Sequence, residues 1–367
     1  MTPTNTTPST EQSKKIAFAA IEPYTASNIV SAEEREERGK EWVSWGKKNI
    51  YPQYLDSLYN NSTTLQTIIN GTADYVLGND VQVNVEAFKT RINSDGETME
   101  DLIAMLAVDY LKYGGFAFSV IRDRIGNIAE LSYIDVARLR TDKDREVFYY
   151  SEDWKADKVK TLRYPKFGIK DTNATSIAYY AGTKTRGTYP VPMWNAAVRS
   201  AEIERQITDF HLNNIANGFS GGYALNFNNG VPDDEQKAEI EREVMRKFSG
   251  AENAGRIVLS FNADKEHALE IVKLDTDDLD KKYGLVRTWC REQIFTAFRA
   301  VPCLFGLMTE NNGFSREEFL QAFELYNTTM VRPIQRTICR ELDKVLGVAD
   351  AVSIVPFSLD VTDNITE

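Results

Sequence analysis

Between Val286 and Leu346 two helix-patterned runs flank a polar loop, and no other stretch so narrows what this chain can fold into. Upstream, Leu279, Tyr283, Val286, Cys290, Ile294, Phe298 and Val301 recur every three or four residues, which puts apolar side chains on one helical face. Thr276 reads as an N-cap, with Asp277 and Asp278 in the first turn where carboxylates favour the helix dipole. Pro302 is expected to stop the run by removing a donor and restricting Val301. Downstream, Ser315 and Glu318 have capping-box spacing. Phe319, Ala322, Phe323, Tyr326, Met330, Ile334, Ile338, Leu342 and Val345 then carry a stripe over about 30 residues, roughly 45 Å of helix. Pro333 predicts a kink in it. Alone, such a pair reads as ordinary core, so the order of the elements around it matters.

The chain has 367 residues, 42% hydrophobic and 26% charged, the profile of a soluble protein of two or three domains. No apolar run approaches the roughly 18 to 20 residues that cross a membrane, and the patch Ile16 to Ile21 is too short for a signal peptide, so a cytoplasmic, membrane-free protein is expected. Cys290, Cys303 and Cys339 lie on or just after apolar helical pattern and read as buried free thiols, with no disulfide framework or zinc site. The net charge of −11 argues against a protein that grips nucleic acid by neutralising phosphates.

Residues 1 to 13 read as a polar disordered tail, and residues 31 to 45 as a short charged helix ending in Trp42 and Trp45, either satellite core or docking anchors. Helices fit Thr63 to Leu77, closed by Gly78-Asn79-Asp80, and Met99 to Tyr113 before Gly114. Strand-like segments follow: Phe116 to Arg122, a turn near Arg124 to Asn127, Ile128 to Ile134, Glu146 to Tyr150, Val159 to Tyr164 and Ile177 to Tyr180. A helix of about 25 residues spans Asn195 to Phe219, roughly 37 Å. Then comes a β-α-β-β insert: Tyr223 to Phe227, a helix from Asp234 to Phe248, Arg256 to Phe261 and Leu269 to Leu274. The fold class is α+β.

No catalytic constellation assembles. His211 sits in a helix and His267 in a charged turn, without metalloprotease, hydrolase or Cys-His spacing. Asp275, Asp277, Asp278 and Asp280 invite a calcium-loop reading, but Leu279 and Val286 occupy ligand positions; helix-start charge explains the cluster better. No phosphate-cradling glycine loop is present, so an ATP-driven motor is excluded. No catalytic, metal or cofactor site is expected.

The order α+β domain, long helix, small insert, long helix, polar loop and kinked long helix resembles the portal proteins of tailed bacteriophages. The resemblance rests on Tyr51-Pro-Gln-Tyr54, Gly78-Asn-Asp80, Phe210-His-Leu-Asn-Asn214, Asn217-Gly-Phe219, Arg246-Lys-Phe248, Gly255-Arg-Ile-Val258 and the stretch Ile294 to Gly306, covering roughly residues 46 to 347. It implies a wing in its first part at 46–194, a first stem helix at 195–220, a clip at 221–275, a second stem helix at 276–302, a tunnel loop at 303–315, a kinked wing helix at 316–347 and a vestigial crown at 348–367. It further implies a ring, typically of twelve subunits, at one capsid vertex of the virion, assembled in the host bacterial cytoplasm. Double-stranded DNA passes through it without sequence specificity during packaging and ejection. Implied partners are the terminase large subunit, the major capsid protein and head–tail connector proteins.

Within that scheme Met308, Thr309, Glu310, Asn311, Asn312, Gly313 and Phe314 form the DNA-facing loop, which carries no fixed positive charge; the plain alternative is a surface turn. Lys237, Arg242, Arg246, Lys247 and Arg256 mark a clip face, reading more as a solvated helix with inter-subunit salt bridges than as a DNA groove. If twelve copies close, −11 each sums to a charge on the order of −130 before screening, which keeps a passing duplex centred. The alternatives are another self-assembling phage connector or scaffold protein, or an enzyme with a noncontiguous site.

Overall fold

The computed structural model describes residues 29–169, 173–182, 187–216, 223–227, 232–233, 235–240, 242, 257–261, 279–307 and 315–358. The chain divides into two compact units, one holding the described residues between 223 and 261, the other those between 29 and 216 and between 279 and 358.

The larger unit is built on three helices and two small sheets. Helix α1 (Tyr51–Asn61) starts with Pro52 in its first turn, where a missing donor does no harm, and hands over directly to α2 (Thr63–Leu77). The link is Ser62, whose Oγ accepts from Leu65 N at 3.2 Å and caps α2. Helix α3 (Met99–Tyr113) opens with a reciprocal Thr98–Asp101 capping box and closes at Gly114 in the left-handed region. Strand β4 (Phe116–Arg122) then lies between β5 (Ile128–Ile134) and β9 (Thr175–Tyr180), both antiparallel. Strands β6 (Leu139–Thr141), β7 (Val147–Tyr150) and β8 (Leu162–Pro165) form a second antiparallel sheet. Leu55, Leu58, Leu65, Ile68, Leu102, Ile103, Leu106, Phe116, Phe118 and Val120 are all buried, and each contributes about 1.5–3 kcal/mol of burial energy.

Residues 31–45 correct the sequence reading: in place of a charged helix, β1 (Glu34–Glu36) pairs antiparallel with β2 (Val43–Trp45). Long-range contacts outweigh the helix propensity of the Glu- and Arg-rich run. The Glu34 carboxylate accepts from the backbone N–H groups of Thr188 and Tyr189, both at 2.7 Å. Trp45 stacks on Tyr189 at 4.5 Å, and the Tyr189 hydroxyl donates to Val43 O. Behind this pair Arg140 is wholly buried with all five guanidinium N–H groups engaged by neutral acceptors: Asn49 Oδ1, Asn49 O, Gln53 Oε1, Ala137 O and Leu139 O. Lys48 and Asn49 adopt positive φ in the turn this guanidinium holds.

A further pairing joins strands far apart in sequence. β3 (Asp80–Val83) runs antiparallel to β12 (Val352–Val355). Gly78, at φ 73°, permits it, because a Cβ there would lie 2.2 Å from Val355 O.

Three longer helical pieces complete the unit. A short 3₁₀ turn, Asn195–Ala197, leads into α4 (Val198–Ala216). Helix α5 (Leu279–Ala297) ends before Pro302, in a Schellman motif: Ala300 N donates to Phe295 O at 2.9 Å and Arg299 N to Thr296 O at 3.1 Å, with Arg299 left-handed at φ 51°. Pro302, expected as the stop, instead opens a second 3₁₀ turn, Pro302–Phe305. Thr276 to Asp278, the expected start of this helix, lie outside the described residues.

The final helix is interrupted as its proline predicts. Helix α6 (Arg316–Tyr326) begins with the Ser315–Glu318 capping box, and α7 (Arg332–Leu346) carries Pro333 in its first turn. Between them Asn327–Val331 forms a π turn in which Arg332 N donates to Asn327 O, five residues back. The wider turn accommodates a residue that has no N–H and whose ring would press on the carbonyl of Thr329.

In the smaller unit β10 (Tyr223–Phe227) runs parallel to β11 (Ile257–Phe261), and residues 235–240 are helical. The tail 1–13 and the expected third strand, Leu269 to Leu274, lie outside the described residues.

Candidate functional site

Two places in the larger unit carry side chains that the fold alone does not require: the outer faces of α4 and α5, and the aromatic cluster at the two ends of residues 308–314. Helices α4 and α5 pack together, with Ile207 of the first and Cys290 and Ile294 of the second buried, and Phe210 meets Tyr283 at 4.8 Å. Two nearly buried carboxylates tie α4 back to the body. Glu204 accepts from Ser62 Oγ at 2.5 Å and Thr64 Oγ1 at 2.8 Å, while Glu202 accepts from the Tyr54 hydroxyl at 3.4 Å and, within its own helix, from Arg205 at 2.6 Å and Gln206 at 2.7 Å. Burial, with Glu204 nearby, pushes the Cys290 thiol up to about 11. Facing outward, Leu212 is 63% exposed and Ile215 62% on α4, and Leu285 is 73% and Trp289 50% on α5. Their spacings of three and four residues align them as one stripe per helix.

The expected DNA-facing residues Met308, Thr309, Glu310, Asn311, Asn312, Gly313 and Phe314 lie outside the described residues; their two anchors are within them. Upstream, Phe305 sits in a nest of rings formed by Tyr75 at 6.3 Å, Phe295 at 5.9 Å and Tyr326 at 5.8 Å. Tyr75 also faces Phe323 and Phe357, and its hydroxyl donates to Leu304 O at 2.9 Å. Phe305 reaches this position because α2 has Gly71 beneath it; a Cβ there would stand 3.0 Å from the ring. Downstream, the capping box at Ser315 fixes where α6 starts. Thr72 and the buried Tyr326 share a hydrogen bond of 2.7 Å, which joins α2 to α6, and burial raises the Tyr326 hydroxyl to about 12.

Sequence reasoning did not single out Gly71, Tyr75 or Phe357. The available signal is the density of aromatic residues around the loop, at Phe295, Phe298, Phe305, Phe319, Phe323 and Tyr326.

Of the five basic residues assigned to the insert, Arg246, Lys247 and Arg256 lie outside the described residues. Lys237 and Arg242 lie within the described residues, both in helical conformation. Arg242 Nε donates to Ala238 O at 3.1 Å. His211 packs edge-on against Tyr283 at 5.8 Å. Among the described residues no three His, Cys, Asp or Glu side chains are grouped to hold a metal, and no helix is long and apolar enough to cross a membrane.

Comparison with known proteins gives this geometry a context. The sequence profile described as phage portal protein matches residues 78–362, most of the chain. Two solved structures share the fold. One, the virion of a native gene transfer agent particle, superposes with a TM-score of 0.55 at 18% identity, over 85% of this chain and 86% of that one. The other, the neck of the native gene transfer agent particle computed with C12 symmetry, gives 0.52 at 17% identity over the same shares. An HK97 family phage portal protein from Corynebacterium diphtheriae superposes at 0.48 with 12% identity, over 85% of this chain and 98% of that one. No curated protein sequence matches this chain. The profile spans β3, both long helices, the aromatic anchors and β12, and on that match the chain belongs to the phage portal protein family.

Proposed function

We propose that this chain, a portal protein of a tailed phage or prophage, closes into a ring that forms the DNA channel at one vertex of the capsid. One observation carries the reading: Leu212 and Ile215 on one long helix, and Leu285, Val286 and Trp289 on the other, stand exposed at helical spacing, so each helix presents an apolar stripe outward. A repeated heterologous contact between such faces either closes into a ring or runs on as a filament. The C12 and C6 symmetries of the related neck particles favour closure, with twelve subunits as the expected number. Helices α4 and α5 then serve as the stem, 46–194 with α6 and α7 as the wing, 221–275 as the clip, and 308–314 as the loop nearest the DNA. The uncharged-to-acidic character of that loop, Met-Thr-Glu-Asn-Asn-Gly-Phe, suits a duplex that must slide. Lys237, Arg242, Arg246, Lys247 and Arg256 of the clip serve inter-subunit ion pairs and docking of the terminase large subunit and connector proteins. The wing meets the major capsid protein, and the ring assembles in the bacterial cytoplasm before the virion is complete. No step of this role requires turnover, so the chain acts as a structural part and not as an enzyme.

Mass photometry with negative-stain microscopy tests the reading. Wild-type protein is expected to give closed rings with a central channel, and Leu285→Glu/Trp289→Glu to give folded monomers with an unchanged circular dichroism spectrum. Open filaments would support another self-assembling connector, and monomers of wild type at high concentration would remove the ring altogether. A second arm addresses the loop: Gly313→Pro is expected to leave rings intact and lower packaging yield.

A further inference from the structure

Helix α7 carries a row of cations that neither the fold nor the ring accounts for. Arg332, Arg336, Arg340 and Lys344 recur at every fourth position, all exposed, while Ile334, Ile338, Leu342 and Val345 on the other face are buried in the core. Each step of four residues advances about 6 Å, so the row covers about 18 Å and winds slowly around the helix. Adjacent like charges at that spacing weaken a helix. Compensation is sparse. Glu341 pairs with Arg340 at 3.2 Å and Lys344 at 2.7 Å, but no described carboxylate forms an ion pair with Arg332 or Arg336. The segment Arg332–Leu346 holds four cations and two carboxylates, a net +2 within a chain of −11. A local arrangement that breaks the helix rules without a compensating contact marks a function.

We propose that this row is a phosphate-binding stripe that holds the backbone of double-stranded DNA against the outside of α7, separate from the channel loop. Three observations select a polyphosphate over the acidic face of another protein. The exposed and half-exposed residues between the cations are Pro333, Thr337, Cys339, Glu341 and Asp343, with no aromatic or large apolar anchor of the kind protein interfaces use. Three of the four cations are Arg, whose planar fork matches phosphate oxygens. The helix beneath is fixed at both ends, by the π turn and by Gly347, so the cations are presented from a rigid rod.

The test is salt-dependent binding of a labelled random-sequence duplex of about 30 base pairs to full-length protein, read by fluorescence anisotropy, since each neutralised phosphate adds about 0.9 to the slope of log K against log salt. The triple variant Arg332→Gln/Arg336→Gln/Arg340→Gln is expected to shallow that slope by about two to three. The control Lys155→Gln/Lys158→Gln/Lys160→Gln, three exposed lysines and the same charge change, is expected to leave it within about half a unit. Equal slopes for all three proteins, or an equal loss in both variants, overturn the proposal. Loss of ring formation in the Arg variant with unchanged duplex binding also overturns it, assigning the row to an acidic surface on a second copy. Duplex binding by unassembled protein is read in the same titration, so a failure of the ring does not hide the stripe.

Discussion

At Asp109 a carboxyl group is held inside α3, fully buried, accepting from Val136 N at 3.2 Å. Desolvation, with Asp135 nearby, raises it to about 8, against the partial relief of Lys112 and the hydrogen bonds from Val136 and Tyr133. The folded-state value lies above the unfolded one, so the folded protein holds a proton that the unfolded chain releases between about pH 4 and pH 8. Stability is therefore expected to fall as pH rises through that window and to level off above it. Asp109→Asn keeps an acceptor for Val136 N without a titratable group. Thermal melts at acid, neutral and mildly alkaline pH should show a flatter profile and a higher neutral-pH midpoint for the variant; an unchanged slope would sink the assignment. Arg140 behaves oppositely. Its five donors meet five fixed acceptors, so Arg140→Lys, with three donors on a flexible stem, is expected to lower stability by about 2–4 kcal/mol in denaturant titration.

Among the elements, those governed by neighbours in sequence were legible. The Ser315–Glu318 capping box, the turn between β4 and β5, the start and end of α3 and the proline-driven break near 333 are local decisions, and the structure contains each. The elements misread or left unread answer to distant partners. Residues 34–36 are a strand because Thr188 and Tyr189 supply the donors that Glu34 accepts from, and β3 exists only because β12 lies beside it. The aromatic nest around Phe305 was equally hidden, since Tyr75 and Phe357 contribute from nearly opposite ends of the chain. Two substitutions probe these elements. Arg299 spends a left-handed conformation at the C-terminus of α5, so Arg299→Gly is expected to stabilise by about 1 kcal/mol in chemical denaturation. Gly71→Ala places a methyl against Phe305, and hydrogen exchange of residues 302–307 is expected to quicken as the ring is displaced.

For the whole molecule, charge and apolar stripe oppose each other. Subunits of −11 repel, and the exposed residues of α4 and α5 attract by burial. The balance shifts with ionic strength, because a Debye length near 30 Å at 0.01 M shortens to about 8 Å at 0.15 M. The ring fraction in mass photometry is accordingly expected to rise with salt over that range, and a fall would indicate that ion pairs, not apolar contact, hold the ring.

Cys290 turns the packing of α4 against α5 into a clock. With its thiol raised to about 11, well under one molecule in a thousand presents a thiolate at neutral pH, and the side chain has no path to solvent while the helices stay closed. In a Cys303→Ser/Cys339→Ser background, the rate of maleimide capture then counts how often the two helices part. That frequency should drop when subunits lock side by side, giving a chemical measure of how stiff the assembled wall is.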